Sequence, residues 1–107
     1  MHGQKQYNMR IISFKKLKDF FETPGNEESE IALRAWNDNV EHAQWKSHAD
    51  LKRDYPSADY VGNDRYVFNI KGNTYRLVVV VIFTPQWVLV RWVGRYKDYD
   101  KIDCTTI

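Results

Sequence analysis

The 107-residue chain holds one cysteine, Cys104. A single thiol excludes an internal disulfide framework and any cysteine-rich zinc module. His2, His42 and His48 have no common zinc-site spacing, so no metal is expected. Neither a Gly-x-Gly-x-x-Gly nor a Walker pattern is present, so no nucleotide cofactor is expected. Long apolar runs are missing too. The longest, Leu77 to Phe83, spans seven residues, where a membrane helix needs about 20. Residues 1–8 (MHGQKQYN) lack the apolar core of a secretory signal. These absences point to a cytoplasmic, soluble protein. Met9 reads like a second start, so residues 1–8 are expected to be a loose extension before one domain over residues 9–107. With 43% hydrophobic and 28% charged residues, the chain has material for a core.

The most telling scarcity is local. Residues 65–97 contain no carboxylate, yet they hold Arg65, Lys71, Arg76, Arg91, Arg95 and Lys97. Residues 19–64 are the reverse, with eleven acids against four bases. Residues 1–18 hold five bases and no acid. A net charge of +2 therefore conceals an acidic middle and a basic second half. A carboxylate-free stretch suits a surface that faces a polyanion. The plain alternative is that these charges only solvate the fold.

Hydrophobic period assigns the elements. Met9–Ser13 is β-branched and short, an opening strand. Phe14, Leu17, Phe20 and Phe21 share one helical face, with Ser13 as cap and Pro24-Gly25 as stop. Asn26 is a candidate cap for a second helix striped by Leu33, Trp36, Val40 and Ala43. Ser47-x-x-Asp50 signals a short helical turn through Lys52. Residues 61–64 read as a turn. Arg65–Ile70, Thr74–Thr84 and Trp87–Val93 read as three antiparallel strands, separated by Gly72-Asn73 and Pro85-Gln86 and ended by Gly94. Residues 96–102 form a short helix or a turn. The order is β-α-α-β-β-β: an α+β domain with helices on one side of a small antiparallel sheet.

Register then sorts side chains by face. With Gly72-Asn73 at the centre of a hairpin, Asn69 opposes Arg76, and Lys71 joins them on one face. With Pro85-Gln86 as a two-residue turn, Val80 opposes Arg91, and Arg91 shares that face. The other face carries Tyr66, Phe68, Ile70, Tyr75, Leu77, Val79 and Val81, a core against helices. An arginine inside such a strand is costly without a partner. It marks either a structural ion pair or an anion pocket. Trp92 is expected in the core, while Trp45 and Trp87 are candidates for stacking on bases.

From Met9 to Ile102 the chain resembles the HigB family of toxins, within the RelE-like group of bacterial toxin–antitoxin systems. MRIIS, the region from Trp36 to Trp45, and SHADLKRDYPSADYVGNDRYVFNIKGNTYRL carry the likeness, together with VRWVG and YDKI. The most specific segment is Val67 to Asn73 followed by Tyr75-Arg76-Leu77.

The resemblance implies a ribosome-dependent mRNA endonuclease acting in the ribosomal A site, with a cognate helix-turn-helix antitoxin as partner. It implies a metal-independent reaction, in which the RNA 2′-hydroxyl attacks the adjacent phosphate. Cations must then surround the phosphate, and groups must take and give protons. Arg76 and Arg91 match the family's phosphate-facing arginines, and Tyr99-Asp100 matches its terminal Tyr-Asp. Where the family reads Val-Gly-Thr-His, this chain reads Val93-Gly94-Arg95-Tyr96. A free phenol has a pKa of about 10, so it is a poor base at neutral pH but a possible acid. Arg95 could add charge there. The expected catalytic set is Arg76, Arg91, Arg95, Tyr96 and Tyr99. Asn69, Lys71, Asn73, Lys97 and Lys16 are the expected RNA contacts. The missing histidine keeps an alternative open: a weak or inactive RNA- or ribosome-binding relative that acts through its antitoxin complex. A third reading is a structural partner whose basic groove only docks the antitoxin. His48 is a remote acid–base candidate, and Cys104 is expected to be an idle thiol.

Overall fold

Strict alternation in the second half of the chain builds a sheet with two unlike faces. The computed structural model describes residues 8–107. The expected loose extension falls mostly on residues 1–7, outside the described residues. Asn8 itself is tied down, its amide donating to the Glu41 carbonyl at 3.0 Å.

The elements in chain order are β1 (Arg10–Ile12), α1 (Phe14–Glu22), a 3₁₀ turn (Glu27–Ser29), α2 (Glu30–Glu41) and α3 (His48–Asp54). They continue with β2 (Asp59–Gly62), β3 (Arg65–Ile70), β4 (Tyr75–Ile82), β5 (Trp87–Arg95) and the single turn α4 (Tyr96–Tyr99). The sheet order is β1-β5-β4-β3-β2. It is antiparallel from β2 to β5, while β1 joins β5 in parallel. The α+β architecture is as expected, but the parallel edge strand and β2 are additions. The turn expected at residues 61–64 is in fact the end of β2 and a tight corner. Asn63 and Asp64 both take positive φ there, 51° and 63°. These short polar residues tolerate that conformation better than most.

All seven residues of the expected core face are buried, from Tyr66 to Val81, and join Leu17, Phe21, Leu33, Trp36, Val40 and Leu51 from the helices. Each such apolar side chain contributes about 1.5–3 kcal/mol when fully buried. Trp45, expected as a possible base stacker, belongs to this core. It is fully buried, lies parallel to Phe68 at 6.4 Å and donates its Nε1 hydrogen to Asp54 at 2.9 Å.

Local signals held unevenly. Ser47 caps α3 through its hydroxyl, which accepts from the Asp50 amide at 3.4 Å. The Lys46 amide donates back to the Asp50 carboxylate at 2.8 Å, and this bond holds that carboxyl below its usual range. Ser13 and Asn26 stand at helix starts, yet neither side chain makes a capping hydrogen bond.

The first hairpin has the expected register, with Ile70 opposite Tyr75 and Asn69 opposite Arg76. The second does not. Ile82 opposes Trp87, so residues 83–86 form the loop and Val80 faces Leu89, not Arg91. Arg91 is an extra residue, a bulge between the Val79–Val90 and Val78–Trp92 pairs. Beyond it, Gly94 opposes Arg76, and β5 runs on to Arg95 instead of ending at Gly94. A bulge re-aims the following side chains. Here it puts Trp92 on the face away from the helices, half-buried, where a core position was expected.

The residues after β5 cover that second face. Tyr99 packs on Trp92, ring centres 6.4 Å apart. Val67 and Val78 are buried there although they are not in the helix-side core.

Candidate active site

The face away from the helices is where the basic strand residues gather. Arg65 and Asn69 come from β3, Arg76 from β4, and Arg91 and Trp92 from β5. Arg76 sits at one end. Its Nη1 donates to the carbonyls of Asn73 at 3.1 Å and Tyr75 at 3.3 Å, and its guanidinium lies 6.0 Å from the Tyr96 ring centre. Nε and Nη2 make no hydrogen bond to the described residues, which leaves donors for an outside anion. Tyr96 is 58% exposed beside it. An open pocket of about 470 Å³ is lined there by Asn73, Thr74, Arg95, Tyr96 and Lys97. Five expected site residues therefore meet here: Arg76, Asn73, Tyr96, Lys97 and Arg95. Asn69 faces Arg76 across the ladder.

Arg95 is held differently from the others. Opposite Tyr75 in register, its guanidinium lies 5.3 Å from the Tyr75 ring centre and donates to the Gly25 carbonyl at 2.6 Å. It ties the end of β5 to the turn after α1. Lys71 also leaves the group. It occupies a positive-φ position (53°) and reaches Glu28 at 3.7 Å, so it turns toward the 3₁₀ turn and not toward Arg76.

Arg91 lies further along the sheet, about 7–10 Å of strand from Arg76 at roughly 3.3 Å per residue. The two arginines share a face but do not form one clamp. Arg91 borders a groove of about 350 Å³ with Trp92 and Val93, with Lys16, Asp19 and Phe20 of α1, and with Thr23 just after it. Lys15 and Lys18 pair with Asp19 and Glu22 at 2.8 and 3.9 Å, whereas Lys16 makes no ion pair among the described residues.

Between the two ends stand Trp92 and Tyr99. Gly94 has no side chain for a spatial reason: a Cβ there would meet the Trp92 ring at 2.5 Å. The Tyr99 hydroxyl donates to Cys104 Sγ at 3.2 Å. Burial first, then the bond to Cys104 and the charges of Cys104 and Asp59, push its pKa up to about 12, against the opposing pull of Arg76. Tyr99 is a hydrogen-bond donor at neutral pH and not a base. Cys104 is thus an acceptor in the face that carries the site.

Sequence reasoning missed Arg65, whose parity with Asn69 on β3 would have revealed it. It also missed the role of Cys104, for which the sequence offers no signal. His48 lies on the helix side, its Nδ1 2.7 Å from the Tyr66 hydroxyl, away from the arginine face. Trp87 is 41% exposed. Among the described residues no three acidic, histidine or cysteine side chains gather as a metal site.

A mostly antiparallel sheet with helices on one face and an arginine- and tyrosine-bearing opposite face defines an α+β module of RelE-like build. The chain belongs to the HigB toxin family, described as the RelE-like toxic component of a toxin–antitoxin system, whose profile matches residues 29–102. It is 34% identical over 95 residues to the mRNA interferase toxin HigB of Escherichia coli (strain K12), covering 86% of this chain and 88% of that protein. The mRNA interferase HigB proteins of Escherichia coli O157:H7 and Shigella flexneri match to the same extent. No helix among the described residues is long and apolar enough to cross a membrane.

Proposed function

We propose that this toxin is an endoribonuclease that cuts mRNA in the ribosomal A site, in the cytoplasm, and is neutralised by a helix-turn-helix antitoxin. The observation that carries the reading is Arg76, with two nitrogens still able to donate, beside exposed Tyr96 on a face built from a carboxylate-free segment.

The 2′-oxygen attacks the adjacent phosphorus, and the bond to the 5′-oxygen breaks, leaving a 2′,3′-cyclic phosphate. Arg76 neutralises the charge that grows on the phosphate oxygens, Arg91 holds the same RNA strand through its phosphates, and guanidinium keeps its own charge throughout. Tyr96 or Tyr99 gives a proton to the departing 5′-oxygen. The 2′-hydroxyl proton leaves to solvent, because Tyr99 holds its own proton far above neutral pH. Asn69, Asn73, Lys97 and Lys16 contact the RNA or ribosome. The tyrosine at position 96 also favours a second reading, a slow enzyme or an RNA-binding relative, since an imidazole there would be the better base.

The test is mRNA cleavage by purified toxin on translating ribosomes. Arg76→Ala, folded by circular dichroism, is expected to lose about 100- to 1,000-fold in rate, the scale of removing one oxyanion donor, and Arg91→Ala to lose less. Wild-type rates in both variants would overturn the site assignment.

A further inference from the structure

Arg65 and Arg91 come from strands that flank β4, and they meet on one atom. The main-chain oxygen of Ile107 accepts from Arg91 Nε at 2.9 Å and from Arg65 Nη2 at 3.2 Å. Each guanidinium carries five donors in a planar fork. Arg65 Nη1 also donates to the Asn63 carbonyl at 2.9 Å, and Arg65 Nε is buried with no acceptor. Two guanidiniums therefore converge on one main-chain oxygen with donors to spare, an arrangement a phosphate with several oxygens would complete.

The segment that supplies the acceptor is a self-contained turn. Asp103 organises it: its carboxylate accepts from the Thr105 amide at 3.0 Å and the Thr105 hydroxyl at 2.6 Å, and its carbonyl accepts from the Ile107 amide at 3.1 Å. Beyond the two arginines, the Asn63 amide group donates to the Thr105 carbonyl at 2.9 Å, and Cys104 receives the Tyr99 bond. These are the turn's hydrogen bonds to the rest of the described chain.

We propose that Arg65 and Arg91 form a second phosphate subsite, for an RNA phosphodiester on the same strand as the one at Arg76, and that residues 103–107 occupy it until RNA displaces them. The inference rests on the RNA-cleaving reading and adds a ligand group and a strap to it. Arg65 opposes Val80, four residues along β4 from Arg76, about 13 Å at roughly 3.3 Å per residue. The RNA strand would thus run along β4.

The probe is a fluorescent RNA tetranucleotide with 2′-deoxy substitutions, titrated into the full chain by anisotropy over a range of salt. Arg65→Gln is expected to weaken binding about tenfold and to flatten the slope of log Kd against log salt by about 0.7, one phosphate contact on a single strand. Arg65→Lys keeps the fold and the charge but loses the fork, and it is expected to fall between. Asn63→Gly changes no charge, keeps the positive φ and removes one tie of the strap. It is expected to tighten binding three- to fivefold, and Arg65→Gln in the same chain to abolish that gain. In wild type, bound oligonucleotide should speed amide exchange at Thr106 and Ile107. An unchanged salt slope in Arg65→Gln, unchanged or weaker binding in Asn63→Gly, or slower exchange in the strap would each overturn the proposal. So would the absence of oligonucleotide binding by wild type and Asn63→Gly alike. Ribosomal cleavage is scored separately. Cleavage lost in Arg76→Ala with no effect at Arg65 defeats the subsite alone. The binding pattern without any cleavage by wild type defeats the enzymatic reading alone.

Discussion

Tyr99 shows how one side chain's surroundings restrict its chemistry. Packed on Trp92 and bonded to Cys104, it keeps its proton until about pH 12. The folded pKa lies above the ordinary value of about 10, so its contribution to stability is complete below pH 10 and is lost as the pH rises from 10 to 12. Tyr99→Phe should remove that part of the alkaline fall in unfolding midpoint. If the fall is the same in wild type and variant, the environment assigned to Tyr99 is wrong. For catalysis, the rate should climb with pH through neutrality with no plateau. Tyr96→His should raise the rate at neutral pH and level off once the imidazole is deprotonated, near its usual value of about 6.5. Arg76 was legible at this scale, since its motif and its parity with Asn69 both pointed to one face. The anchoring of Arg95 on Gly25 was not, because that carbonyl is 70 residues away in sequence.

At the scale of the element, β5 decides the shape of the site. Hydrophobic alternation located the strand, and turn residues located its hairpin. A bulge leaves no mark in alternation, however, so the register of Arg91 and the side of Trp92 were not readable. Gly94 looked like a strand breaker because glycine is weak in strands. It is there because the Trp92 indole occupies the space its side chain would need. Gly94→Ala should therefore push Trp92 off its seat and weaken oligonucleotide binding about tenfold, while the helix-side core holds the fold. Anisotropy and far-ultraviolet circular dichroism report the two separately. Unchanged binding with an intact fold would show that Trp92 has no part in the RNA-facing surface. β2 escaped the sequence reading for a similar reason. It is four residues long and ends at Gly62, so the turn residues beside it dominate the local signal.

For the whole molecule, charge was the most informative property and its total the least. The acidic middle supplies α2 and α3 on one side of the sheet, and the basic segment supplies β3 to β5. The seven buried residues of the helix-side face were readable because burial on one face forces period two. The cover over the other face was not, because residues 100–107 have no period at all. That cover lies against Arg65 and Arg91, so it bears directly on how RNA reaches the face.

The most direct measurement is the chemistry of the cut ends on ribosome-bound mRNA, with divalent metal chelated after the complexes have been fixed at the A site. Cuts are expected inside A-site codons that leave a 2′,3′-cyclic phosphate and a 5′-hydroxyl, undiminished by the chelator and absent with Arg76→Ala. Cuts that leave a 5′-phosphate, or that vanish with the metal, would contradict this mechanism.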